Sequence, residues 1–249
     1  MKAFVAAMVS LAVLALATPN TSCAQQVLKA GSTTAGQPTS GLNPKTGQLE
    51  GISVELLRAI AKDAGLEIEY QPMAFAELQP ALLDKKIDII AASYGVTPAR
   101  QKLVDFTDVY GSYRDMLIVR VDDMKAYRSV ADFKGMSIAI PKGSAYVNAL
   151  QEAGANLTLV GTPPEAISEL EAHHVAGVVD NGLQIAYRMR NNAHPDLKIV
   201  DSYQPIQEAK LAFAVRKGDT DLLAKLNASL MKLQADGTVR AIYSRWGLN

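Results

Sequence analysis

Residues 52–91, ISVELLRAIAKDAGLEIEYQPMAFAELQPALLDKKIDIIA, switch back and forth between two hydrophobic periods, and that switching decides the architecture. Val54, Leu57, Ile60, Ala61 and Ala64 recur at the spacing of one helix face. Ser53 stands where a hydroxyl can cap that helix, and Gly65 is placed to end it. Leu66, Ile68 and Tyr70 then alternate as a strand. A second helix runs through Leu78, Leu82 and Leu83, and Ile87-Asp88-Ile89-Ile90-Ala91 reads as a buried strand. Strands alternating with helices over short connections are the pattern of an α/β protein with mostly parallel sheets.

Outward from this stretch the pattern continues. Upstream, Val27 to Ala30 reads as the first strand, followed by a polar segment from Gly31 to Gly51. Downstream, Met136 to Ile140 is a strand, and Pro141-Lys142-Gly143-Ser144 leads into a helix reaching about Ala153. Leu157 to Val160 is a strand, and Thr162-Pro163-Pro164-Glu165 opens the next helix as a capping box. Val175 to Val179 forms a strand ending at Asp180, and Lys198 to Val200 another. Two apolar runs, Met116 to Val121 and Leu211 to Val215, read as crossings between two lobes. The chain closes in helices from Leu222 to Gln234 and from Thr238 to Trp246.

The first residues point to export. Lys2 precedes an apolar run from Ala3 to Ala17, the length of a signal-peptide core and too short to span a bilayer. Pro19 breaks any helix, and Ser22-Cys23-Ala24 suits signal peptidase. We expect cleavage after Ala24, with Ala15-Leu16-Ala17 as the second possibility. Asn20-Thr21-Ser22 lacks the aliphatic residue that a lipoprotein signal carries before its cysteine. Cleavage after Ala24 removes the chain's one cysteine, so no disulfide is expected. Roughly 225 residues remain, a length that suits two lobes. Lysine plus arginine equals aspartate plus glutamate at 25 each, so nothing advertises nucleic acid or an anionic membrane as a partner.

From Gly51-Ile52-Ser53-Val54-Glu55-Leu56 onward the chain resembles the bacterial family 3 extracellular solute-binding proteins, the polar amino-acid receptors of ABC importers. The likeness runs through Phe75-x-x-Leu78-x-Pro80-Ala81-Leu82 and Lys86-Ile87-Asp88-Ile89-Ile90. It is strongest at Thr97-Pro98-Ala99-Arg100-Gln101-Lys102 with Val104-Asp105-Phe106-Thr107. It resumes at Asp132-Phe133-Lys134-Gly135, Lys142-Gly143-Ser144 and Gly177-Val178-Val179-Asp180. It closes with Ala235-Asp236-Gly237-Thr238 and Ile242-Tyr243-x-x-Trp246-Gly247. Each piece alone is weak, whereas the ordered set is specific. The resemblance implies a two-lobed, Venus-flytrap fold with two interlobe crossing strands and C-terminal helices returning to the first lobe. We expect residues 25–114 with 209–249 to form lobe 1 and residues 115–208 to form lobe 2, with 1–24 as the leader. It further implies a monomeric periplasmic receptor that delivers its ligand to membrane permease subunits.

An amino acid carries a carboxylate and an ammonium on one carbon, and hiding both from water requires a partner for each. Arg100, one turn after a Thr97 cap and Pro98, can grip a carboxylate through two parallel hydrogen bonds. By resemblance it is the family's carboxylate-binding arginine; the bland alternative is a surface arginine paired with Asp105. Asp180, at a strand end, is by resemblance the amine-binding aspartate; the alternative is a cap for the helix through Ile185. Ser93 and Gly95 match a loop that touches ligand polar atoms, and Ser144 precedes a helix whose free N–H groups favour a carboxylate. Phe75 matches an aromatic position that covers the ligand. Thr33, Thr34 and Gln37 can bond a polar side chain.

The chain departs from its relatives at three places. Gly36-Gln37-Pro38-Thr39-Ser40-Gly41 has no aromatic, Thr33 or Thr34 stands where many carry aspartate, and Gly95 stands where many carry serine or threonine. These changes speak against lysine, arginine or histidine as the ligand. Two other readings stand beside the receptor. Cyclohexadienyl dehydratases share the fold, but Asn181-Gly182-Leu183-Gln184 after Asp180 offers no general acid. A ligand-sensing module is the other, although nothing follows Trp246-Gly247 beyond Asn249 that would carry a signal. His173, His174 and His194 lack metal-ligand spacing and read as surface residues, so no cofactor or metal is expected.

Overall fold

Strand-forming runs separated by amphipathic helices fold here into two large sheets with helices packed on them and one small three-stranded sheet. The structure, a computed structural model, describes residues 27–191 and 194–248, so the leader expected over residues 1–24 lies outside the described residues. The chain opens with β1 (Val27–Ser32) and a small antiparallel meander of β2 (Ala35–Gly36), β3 (Ser40–Leu42) and β4 (Leu49–Glu50). There follow α1 (Ile52–Ala64), β5 (Glu67–Pro72), α2 (Phe75–Leu83), β6 (Ile89–Ile90), α3 (Pro98–Gln101) and β7 (Val104–Phe106). A long strand, β8 (Gly111–Arg120), leads to β9 (Ser137–Pro141), α4 (Val147–Glu152), β10 (Asn156–Val160) and α5 (Pro163–Glu171). Then come β11 (Gly177–Asn181), α6 (Gly182–Asn191), β12 (Leu197–Ile199), β13 (Glu208–Leu211) and β14 (Ala214–Arg216), closed by α7 (Thr220–Ala235) and α8 (Thr238–Arg245).

The first lobe is built on the sheet β5-β1-β6-β14-β7, in which β1 is parallel to β5 and β6 while β14 runs antiparallel to β6 and β7. The second is built on β10-β9-β11-β8-β12, with β9 parallel to β10 and β11, and β8 antiparallel to β11 and β12. Leu56, Leu57 and Ile60 of α1 belong to one core with Leu226 and Leu230 of α7, which returns the C-terminal helices to the first lobe. Ile118, Ala139, Ile167, Leu170 and Val178 form a core in the second.

Two strands cross between the lobes as expected, but not at the apolar runs that marked them. The crossing is an antiparallel ribbon in which Gly111 to Arg114 of β8 pair with Glu208 to Leu211 of β13. Met116 to Arg120 lie inside the second sheet, and Ala214 to Arg216 inside the first. The apolar runs marked strands buried on both faces, whereas the ribbon alternates buried and exposed residues along β13. The polar segment after β1 also holds a three-stranded meander that its composition did not announce.

The start of α1 is a second correction. Gly51, not Ser53, holds the N-cap position with φ 119°, and a Cβ there would sit 2.6 Å from the Thr39 carbonyl oxygen. Ser53 is buried within the first turn and hydrogen-bonds the Tyr110 hydroxyl at 2.8 Å. Gly65 ends the helix in the left-handed conformation as expected.

Asp115 fixes the returning chain to the crossing ribbon. Its buried carboxylate accepts from the Tyr203 hydroxyl at 2.6 Å, from Ile206 N–H at 3.1 Å and from Gln207 N–H at 3.2 Å. Asp115→Ala is expected to lower the unfolding free energy by about 3 kcal/mol, because three donors lose a charged acceptor. Urea denaturation measures this, and a loss below about 1 kcal/mol would show that the carboxylate is not the anchor.

Candidate functional site

Strand ends and helix starts from both lobes converge on one cavity. The cavity has a volume of about 60 Å³. Arg100, Asp180, Ser93, Ser144, Phe75, Thr33 and Thr34, all expected at the site, line it. Gln37 and Gly95 do not. The Gln37 side chain turns to the Leu42 carbonyl at 3.1 Å. Gly95 bridges Leu211 and offers only its carbonyl, which accepts from Arg100 Nη1 at 2.7 Å.

Arg100 is placed as its local sequence dictates. Thr97 Oγ1 accepts from Arg100 N–H at 3.2 Å, and Pro98 occupies the first helical position of α3. The side chain is 8% exposed, which rules out the surface pairing with Asp105; that carboxylate instead meets Lys217 at 3.0 Å. Its guanidinium stacks 3.9 Å from the Tyr94 ring centroid and 5.6 Å from that of Phe75. Two of its five N–H donors go to carbonyls, of Gly95 in the first lobe and of Gly143 in the second at 3.0 Å. Burial lowers its pKa, and the neighbours that offset this are the tyrosines Tyr94, Tyr113 and Tyr146, not a carboxylate.

Asp180 lies in β11, where it is 7% exposed, and pairs in register with Met116. It is not the helix cap: Asn181 Oδ1 accepts from Leu183 N–H at 2.9 Å and begins α6. That helix starts directly from the strand, and a Cβ on Gly182 would sit 2.5 Å from the Arg114 carbonyl oxygen in the crossing ribbon. Burial pushes the Asp180 carboxyl up to about 7, partly opposed by the Asn181 backbone N–H and by the charge of Arg188. Arg188 itself donates to the Ala35 carbonyl at 3.0 Å.

Ser144 keeps its place but not its proposed surroundings. Its Oγ accepts from Tyr146 N–H at 3.4 Å, and α4 begins only at Val147 and runs for six residues. Phe75, half-buried, opens α2 and is tilted against Tyr94 at 6.0 Å between centroids. The sequence reading missed Met73, Tyr113, Tyr146, Asn181 and Gln184, which also line the cavity. Gln184 was legible as a polar residue one turn after Asp180. Tyr113 was not, because nothing local marks a ribbon residue as facing a cleft. Among the described residues no cluster of three or more His, Cys, Asp or Glu could hold a metal ion, and no helix is long and apolar enough to cross a membrane. His194, expected at the surface, is largely buried against Glu171 at 2.7 Å.

This arrangement, a cavity between two lobes with one buried cation and one buried carboxyl, agrees with comparison to known proteins. The bacterial extracellular solute-binding proteins, family 3, match residues 28–249. The chain belongs to this family. The arginine-binding extracellular protein ArtP of Bacillus subtilis is 30% identical to this solute-binding protein over 201 residues, 79% of this chain and 77% of its own. An ancestral arginine-binding protein, solved with arginine bound, superposes with a TM-score of 0.81 at 30% identity, covering 88% of this chain and 97% of that one. The ancestral amino acid-binding protein AncCDT-1, a precursor of cyclohexadienyl dehydratase, gives 0.79 at 28% identity, covering 88% and 95%.

The raised Asp180 pKa ties the solute-binding protein's stability to pH. Below about pH 4 the carboxyl is protonated in both folded and unfolded chains and adds no penalty. Between about 4 and 7 the unfolded chain ionises first, so stability falls as pH rises, and above about 7 the penalty is constant. Asp180→Asn removes the penalty. Relative to the unaltered protein, the variant should gain about 2–3 kcal/mol of unfolding free energy between pH 5 and pH 8. Paired denaturation curves measure it, and a pH-independent difference would contradict the assignment.

Proposed function

We propose that this solute-binding protein captures an amino acid or a close analogue by closing its lobes over it, and delivers the ligand to the permease of an ABC importer. The observation that carries the reading is a buried guanidinium with no carboxylate neighbour, sharing an interlobe cavity with a buried carboxyl that Arg188 offsets only in part. Each is costly alone, and an α-amino acid supplies the missing partner of each. The ligand carboxylate meets the remaining donors of Arg100, and its ammonium meets Asp180. Ser93, Ser144 and Thr33 offer further hydroxyls, and Phe75 covers one wall. Lobe 1 then comprises residues 25–114 and 209–249 and lobe 2 residues 115–208, hinged at the ribbon. Export by a leader over residues 1–24, a periplasmic location and a monomeric state complete the proposal, with no nucleic acid among its partners.

Relatives bearing binding-protein names support a receptor without catalysis. One observation favours a second reading: the likeness to a dehydratase precursor, together with a carboxyl near 7 that can act as a general acid. Turnover of prephenate or arogenate separates the two, and a receptor gives none.

The test is calorimetry after a thermal-shift screen of amino acids and related acids has found a ligand. Arg100→Ala should weaken binding by about 3–5 kcal/mol, two decades or more, because it strands the ligand carboxylate. Undiminished affinity would refute the assignment.

A further inference from the structure

The hydroxyl protons around Ser93 fix the orientation of the Gln184 amide. Thr39 Oγ1 donates to the Gly36 carbonyl at 2.8 Å, and a hydroxyl has one proton to give. In its bond with Ser93, Thr39 is therefore the acceptor and Ser93 the donor. With its proton committed, Ser93 Oγ accepts from Gln184 Nε2 at 2.9 Å. Gln184 thus turns its NH2 across the lobe boundary to Ser93 and leaves Oε1 free. That oxygen is buried, on a side chain only 7% exposed, and has no partner among the described residues. Three positions earlier Asn181, 4% exposed, uses Oδ1 on Leu183 N–H, and its buried Nδ2 is likewise unpartnered. Both residues line the cavity, and their unpartnered buried atoms are an acceptor on Gln184 and a donor on Asn181.

Charge completes the argument. Among the described residues lining the cavity, Asp180 is the sole carboxylate and Arg100 the sole cation. On the receptor reading, on which this inference rests, the ligand's ammonium and carboxylate engage both. A charged ligand side chain would enter without a counter-charge. An apolar one would leave the Gln184 oxygen and the Asn181 NH2 unpaired.

We propose that Gln184 and Asn181 are specificity-determining residues that select an amino acid with an uncharged side chain bearing both a donor and an acceptor, a carboxamide or a hydroxyl. Gln184 Oε1 accepts from that side chain and Asn181 Nδ2 donates to it. This separates the chain from the arginine-binding relatives named above, despite their likeness in fold.

Calorimetry of the purified protein with glutamine, threonine, leucine, glutamate and arginine tests it, alongside Gln184→Met and Gln184→Glu. The unaltered protein should bind glutamine or threonine at least about tenfold more tightly than leucine, glutamate or arginine. Gln184→Met should shrink the preference over leucine by about tenfold, and Gln184→Glu should shift preference toward arginine. Loss of the Ser93 bond alone would weaken all ligands alike, so the ratio reports selection and not closure. Arginine bound most tightly by the unaltered protein, or ratios unchanged in both variants, would overturn the selection and leave the receptor reading standing. Absence of binding to every amino acid would sink both.

Discussion

Two buried charges that their internal neighbours do not fully compensate are the constraint on which this site is organised. A guanidinium or a carboxylate moved out of water loses hydration that only a counter-charge or several well-aimed hydrogen bonds restore. Arg100 is supported by two carbonyls and two aromatic rings, none of which neutralises it. Asp180 responds to the same deficit by holding its proton to a higher pH.

The fold holds these groups on separate lobes. α3 packs on β7 of the first sheet and carries Arg100, while β11 of the second sheet carries Asp180. The sheets are joined through a two-stranded ribbon, and Asp115 ties the returning segment to it. In this structure the lobes touch through Arg100 to Gly143, Gln184 to Ser93 and Arg188 to Ala35, and away from the cavity through Arg190 to Trp246 and Gly247. Residues of the site thus double as contacts between lobes.

Much of this was legible from the chain alone, for identifiable reasons. Amphipathic periods located α1 and α7, and Thr97-Pro98 placed Arg100 on a capped turn because capping is a local matter of one hydroxyl and one ring. Asp180 was legible as the end of an apolar strand. The crossing strands were misplaced because apolar runs report burial in a sheet, whereas a ribbon between lobes has a wet face and alternates. Gln37 was misread because its local partner, the Leu42 carbonyl, depends on a meander that no periodicity reveals. Tyr113 and Tyr146 reach the cavity through tertiary geometry, which spacing in the chain does not encode. The orientation of the Gln184 amide became readable only when the Thr39 and Ser93 hydroxyl protons could be assigned.

The most direct test chemically blocks one end of the ligand at a time. Calorimetry would compare the best-bound amino acid with its N-acetyl derivative and with its α-methyl ester. If the cleft neutralises a zwitterion from both lobes, each blocked form loses about a hundredfold or more in affinity. If either one binds within a few-fold of the free amino acid, Arg100 and Asp180 do not grip opposite ends of the ligand, and the account fails.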